Sequence, residues 1–269
     1  MKIKEKKRLT VGLALGSGAF RGFAHIGVLK SLIKHGIPID YLSGASIGAW
    51  VAAYYAVFQN IDKLEKDLAA RPVANLPMFF DFSLTGGFIV GNKIKKVMEK
   101  GLKHHDFSDL KTPLRIVATD LASGQPYIFK TGDVARAVRA SISVPLVFRP
   151  LAHKGRLFVD GGLSHPVPCD LVRGLGADIV IGVNLYHQNE FIDKKFTLPK
   201  VVLRSARIVL HNLAKSDIKR ADIVIEPDTS AIVQKQGLQK YFAKEVVAEL
   251  IRIGERATDR MIPKIKKRL

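Results

Sequence analysis

The pentapeptide Gly44-Ala45-Ser46-Ile47-Gly48 follows a short apolar run and opens a longer one. A G-x-S-x-G stretch between strand and helix is a nucleophile elbow. Its glycines let strand and helix pass close to a strained turn, from which the serine projects. Ser46 is therefore the candidate nucleophile. Upstream lies a second motif, Gly16-Ser17-Gly18-Ala19-Phe20-Arg21-Gly22. Such a turn aims backbone N–H groups at a negative charge, and the following helix N-terminus adds its dipole. That charge is a pyrophosphate or the oxyanion of an acyl-transfer intermediate. A dinucleotide site wants G-x-G-x-x-G. Here the third glycine comes one residue late, at Gly22, although Asp40 stands 22 residues beyond Gly18.

A serine hydroxyl needs a base within hydrogen-bond reach. Two carboxylates end strand-like runs: Asp120 after Leu114–Thr119, and Asp160 after Arg156–Val159. Strand C-termini form the rim where sites on open α/β sheets gather. Gly161-Gly162 let the backbone turn sharply beside Asp160, which favours it over Asp120. His165 and His187 are candidates for a histidine in a triad.

The elements that must position these groups follow from periodicity. Thr10–Leu15, Ile39–Leu42, Leu114–Thr119, Pro126–Lys130, Arg156–Val159, Ile179–Leu185 and Ile223–Glu226 read as strands. Ala24–His35, Ile47–Gln59, Asp62–Ala70, Asp133–Ser141, Cys169–Gly174, Val201–Lys215 and Leu238–Met261 read as helices. In Ala24–His35 the apolar face is Ile26, Leu29, Leu32 and Ile33. In Val201–Lys215 it is Val202, Leu203, Ala206, Val209, Leu210 and Leu213. Alternating strand and helix predicts an α/β fold with a mainly parallel central sheet. Arg71–Gly91, with apolar residues among prolines and glycines, is a candidate lid or acyl-binding wall.

The chain has 269 residues and 47% hydrophobic content, enough for a sizeable core without disulfides or metals. Its one cysteine, Cys169, excludes an intramolecular disulfide and a Cys-rich zinc site, and favours a reducing compartment. No acidic loop has calcium-ligand spacing, so no metal or cofactor is expected. Forty-three Lys and Arg against 24 Asp and Glu leave a net charge of +19, which favours anionic partners. No aromatic–basic interleaving points to nucleic acid. The N-terminal basic run before Val11–Phe20 imitates a secretory signal, but interrupting glycines argue against one. No apolar window reaches membrane-spanning length. The expectation is a cytoplasmic protein that can sit on the inner face of a membrane.

In this order, the Gly-rich Gly16–Gly22, Gly44-Ala45-Ser46-Ile47-Gly48 and Asp160-Gly161-Gly162 resemble the patatin-like phospholipase family, and closely its small bacterial members. Ala24-His25-Ile26-Gly27-Val28-Leu29, Ala118-Thr119-Asp120-Leu121 and Ala140-Ser141 with Pro145 extend the resemblance over roughly residues 8–185. It implies a three-layer α/β/α fold and a Ser–Asp dyad without catalytic histidine. Ser46 would attack an ester carbonyl. Asp160 would take the hydroxyl proton and later activate water. The N–H groups of Gly18, Ala19, Phe20 and Arg21 would form the oxyanion hole, and Asp120 would be structural. Ser17 and Ala19 stand where the fuller pattern has glycine, which leaves the hole intact if φ stays negative there. His165 stands where the family commonly has Asn.

The expected function is a serine-dependent lipid acyl hydrolase, of phospholipase A, lysophospholipase or carboxylesterase type. A single domain would cover 8–262, with basic tails at 1–7 and 263–269. The alternatives are a non-catalytic membrane-surface adaptor on a hydrolase fold and a dinucleotide-binding protein.

Overall fold

The computed structural model describes residues 8–69, 102, 105–145, 147–186, 197–235 and 243–269. Strands β1 (Val11–Leu15), β2 (Tyr41–Ala45), β3 (Leu114–Asp120), β7 (Ile179–Val183) and β8 (Ile223–Ile225) run parallel, in spatial order β3-β2-β1-β7-β8. Strands β4 (Pro126–Phe129) and β6 (Arg156–Val159) pair antiparallel with β3, and β5 (Leu151–His153) pairs antiparallel with β6. The sheet is mixed but mostly parallel.

Alternation along β1 builds two cores. Val11, Leu13 and Leu15 face one layer, with buried residues of α1 (Ala24–Lys34), α2 (Ile47–Phe58), α3 (Ile61–Ala69), α4 (Val134–Ser141) and α8 (Lys244–Asp259). Ala14 faces the other, with α5 (Cys169–Gly174) and α6 (Leu198–Asp217) supplying Cys169, Val172 and Ala214. This is a three-layer α/β/α arrangement. The remaining described helices are α7 (Ser230–Lys235) and α9 (Ile262–Arg268).

Several expectations shift. β2 starts at Tyr41 rather than Ile39 and runs into the elbow itself. On α1, Ile33 is exposed while Ile26, Leu29 and Leu32 are buried. On α6, the expected apolar stripe packs only in part: Leu210 turns inward beside Ala214, whereas Val202, Ala206 and Val209 face solvent. The residues read as a C-terminal basic tail are helical, and α9 buries Ile262 and Ile265. β5, α7 and α9 went unread. Arg71–Gly91, His187 and the start of the Leu238–Met261 helix lie outside the described residues.

Strand registers fix where the site forms. Val117 pairs with Ala45 of β2 and with Ile128 of β4, so these strands flank β3 on opposite edges. Thr119 pairs with Pro126 of β4 and with Val159 of β6, so β6 shares the edge of β2. β2 and β6 therefore approach each other end to end along β3. Ser46 follows the pair at Val117, Asp160 follows the pair at Thr119, and they meet opposite Ala118. Asp160 is thus not on the common rim of parallel strand ends, because β6 runs the other way.

Candidate active site

Ser46 sits at φ 54°, ψ −125°, a conformation side chains rarely adopt. Such strain costs about 1–3 kcal/mol and must be held by the surroundings. Close packing holds it. A Cβ on Gly48 would lie 2.1 Å from the Leu15 carbonyl oxygen, and one on Gly44 would lie 2.5 Å from Ala49 Cα. Ser141 Oγ, at the end of α4, accepts the Ser46 N–H at 2.8 Å. Ser46 itself begins α2, a helix buried on most sides beneath the sheet.

Ser46 Oγ donates to Asp160 Oδ2 at 2.5 Å. Gly162 N–H donates to the other carboxylate oxygen at 2.8 Å. The Asp160 backbone is pinned as well: its N–H reaches Ser143 O at 3.0 Å, and Thr119 Oγ1 donates to its carbonyl at 2.8 Å. Ser46 is 5% and Asp160 7% exposed. Burial outweighs the two hydrogen bonds and pushes the carboxyl up to about 6.

The Gly-rich loop stands beside this pair. Gly16 N–H bonds Val183 O, Ser17 N–H bonds Pro166 O, and Arg21 N–H turns back to Gly18 O at 3.2 Å. The Arg21 donor is thereby committed within the loop, whereas Gly18 and Ala19 N–H find no acceptor among the described residues. Ala19 sits at φ 50°, so the expected negative φ fails there, yet its N–H stays without an acceptor among the described residues. Gly22 packs against Ile47 of the elbow, and Gly162 against Ser17 of the loop. Gly161 lies over the Val117 carbonyl.

Side chains lock the loop. Arg21 is buried, donates from Nε to Gly18 O at 2.9 Å and from Nη1 to Leu185 O at 3.2 Å, and stacks on the Tyr186 ring. Tyr186 OH and Ser17 Oγ are 2.9 Å apart. His25, fully buried, donates from Nε2 to Gly16 O at 2.7 Å. That acceptor fixes the proton on Nε2 and leaves Nδ1 bare. Burial drops its pKa to about 4, so the ring is neutral. Sequence reasoning missed these supports; the run Ala24–Leu29 carried His25 without its role.

The other candidates lie elsewhere. Asp120 accepts the N–H groups of Ala122 and Ser123 and pairs with Arg156, as a turn aspartate does. His165 faces Asp170 and Asp217 rather than Ser46. Burial opposes its charge, but the two carboxylates win and push it up to about 9. Asp40 precedes β2, where it pairs with Arg8 and accepts Val11 N–H. The Gly-rich loop leaves the opposite end of β1, roughly 16 Å away, so Asp40 cannot serve a ribose there. A surface hollow of about 350 Å³ beside Lys30, Ile61 and Glu255 shares no residue with the Ser46 site.

Comparison with known proteins places the fold in a family. The family described as Patatin-like phospholipase matches residues 13–173. An uncharacterized NTE family protein of Mycobacterium tuberculosis is 34% identical over 188 residues, 69% of this chain and 51% of that protein. Human patatin-like phospholipase domain-containing protein 6 is 31% identical over 67% of this chain and 14% of its own length. Lysophospholipase nte1 of Aspergillus fumigatus is 31% identical over 65% of this chain and 12% of its own. The match thus spans about half or less of these relatives. The crystal structure of VipD from Legionella pneumophila superposes with a TM-score of 0.58 over 94% of this chain and 66% of that one, at 14% identity, a likeness of fold. The family match covers more than half of the sequence and takes in the loop, the elbow and the Asp-Gly-Gly turn: the chain belongs to the patatin-like phospholipase family.

Proposed function

We propose that this protein is a serine-dependent lipid acyl hydrolase working through a Ser46–Asp160 dyad and an acyl-enzyme, in one catalytic domain that takes in α9 as well as the expected 8–262. The 2.5 Å hydrogen bond from Ser46 Oγ to the buried Asp160 carboxylate carries the reading. A carboxyl near 6 is a competent base at neutral pH and still accepts a proton in the transition state. Ser46 Oγ attacks the ester carbonyl carbon while its proton passes to Asp160 Oδ2. The oxyanion takes the N–H groups of Gly18 and Ala19. Collapse breaks the ester C–O bond, and Asp160 returns the proton to the departing alcohol. Water then gives a proton to Asp160 as its oxygen attacks the acyl carbon, and Ser46 leaves with that proton.

The lysophospholipase named among the relatives supports a lysophospholipid or phospholipid substrate. Among the described residues no helix is long and apolar enough to cross a membrane, and the net charge of +19 supports peripheral attachment to an anionic surface. The test is fluorophosphonate labelling followed by mass spectrometry. An adduct on Ser46, lost in Ser46→Ala, is expected. No adduct on folded protein would leave the non-catalytic adaptor as the better reading.

A further inference from the structure

Helix α6 leaves much of its apolar surface in water. Helical spacing puts Leu198, Val202, Ser205, Val209, Asn212 and Ser216 on one line. All six are exposed, Leu198 at 78%, Val202 at 60% and Val209 at 57%. Val201 and Ile208 border that line and are also exposed. The inward side instead sets Leu210, Ala214 and the carboxylate of Asp217 against the protein. Five large apolar side chains, Leu198, Val201, Val202, Ile208 and Val209, thus stand in water along the first three turns of the helix, and such a patch marks something that covers it.

Charge indicates what covers it. From Leu198 to Ser216 the helix holds no Asp or Glu. The turn after it exposes Lys219 and Arg220, and Arg268 of α9 reaches Asp222 just beyond, so the basic C-terminal helix adjoins the same end. Lys264, Lys266, Lys267 and Arg268 there are all exposed. Two copies meeting face to face would set these basic flanks against each other, which disfavours self-association. An apolar line with a basic border fits a helix lying in the interface of an anionic bilayer.

The opposite, inward side of α6 packs on elements that support the Gly-rich loop and the segment after Asp160. His211 bonds the Tyr186 carbonyl, and Tyr186 holds Ser17 of the Gly-rich loop. Asp217 accepts Val167 N–H and pairs with His165, five residues beyond Asp160. We infer that the outward face of α6 is the surface by which this protein seats on an anionic lipid bilayer. This deepens the hydrolase reading and rests on it for the substrate.

The test is flotation of the full chain with vesicles of phosphatidylcholine plus phosphatidylglycerol, against phosphatidylcholine alone. Val202→Ser with Val209→Ser should weaken binding by up to about a hundredfold, since each fully buried valine is worth about tenfold. Lys219→Gln and Lys266→Gln should each cost about fivefold, on anionic vesicles alone. Ile33→Ser, an exposed apolar residue on α1, should bind as the parent does. Turnover of a soluble short-chain ester should be unchanged in every variant, and circular dichroism should match the parent. The inference is overturned if the parent does not float, or if the double variant floats equally well. It is also overturned if sedimentation shows a parent dimer that the double variant dissolves, because the strip then belongs to a second copy. Flotation that depends on α6 without ester turnover or Ser46 labelling would sink the hydrolase reading and keep the surface. Turnover without flotation would do the reverse.

Discussion

Replacing Asp160 with Asn removes the buried charge and keeps both hydrogen-bonded contacts, with the one to Ser46 reversed. The amide oxygen can accept Gly162 N–H, and the amide nitrogen can donate to Ser46 Oγ. In the native protein, moving this ionisation from 3.8 to about 6 costs about 3 kcal/mol, at 1.36 kcal/mol per pH unit. The folded-state pKa is the raised one. The associated stability is therefore complete below 3.8 and is lost as pH rises through about 6. Asp160→Asn should accordingly be more stable than the parent at pH 8, with a ceiling of about 3 kcal/mol, or roughly 6–12 °C in Tm for a chain of this size. At pH 4 the two should melt within roughly one to two degrees of each other, because folded Asp160 is then protonated and only the ionisation of the unfolded chain, about 0.6 kcal/mol, remains. Ester turnover should fall by about 10²–10⁴ at the same time. Melting curves at pH 4, 6 and 8 read the effect. A variant less stable than the parent at pH 8, or a difference that ignores pH, would refute the reasoning.

Other outcomes follow from the same geometry. The kcat/KM for a soluble ester should rise with an apparent pKa of about 6 as Asp160 deprotonates; a profile flat from pH 5 to 8 would count against Asp160 as base. Ser141→Ala orphans the buried Ser46 N–H and should destabilise by about 1–3 kcal/mol in denaturant titration, with slower fluorophosphonate labelling. His165 gains stability from charging between Asp170 and Asp217, present in full below 6.5 and lost as pH rises through about 9. Parent stability should therefore decline from pH 6.5 to 9, and His165→Asn should lack that slope.

The elbow and the acidic turn were legible because their constraints are local. Strain at Ser46 demands glycine on both sides, and Asp160 needs a sharp turn after it. The supports were not legible, because each depends on a neighbour brought in by the fold. His25 reads as one residue of an apolar helix until Gly16 O arrives beside it. Ser141 reads as a helix end until the Ser46 N–H meets it. The outward face of α6 defeated periodicity for a related reason: apolar residues nearly encircle the helix, so spacing alone could not say which side packs. Ala19 shows the converse. Its type predicts negative φ, but the turn into the first helix forces φ to 50°.

The end-to-end approach of β2 and β6 makes β3 a gauge block. Ser46 and Asp160 stand 114 residues apart in sequence, yet their spacing is set by one residue of one strand, Ala118. Inserting a residue between Val117 and Thr119 would lengthen the gap by about 3.3 Å and turn the following side chains to the opposite face. The same insertion in the 154–155 turn would leave the gap untouched. Tolerance to length change in this protein is thus set by the strand that measures the dyad, although that strand supplies neither of its members.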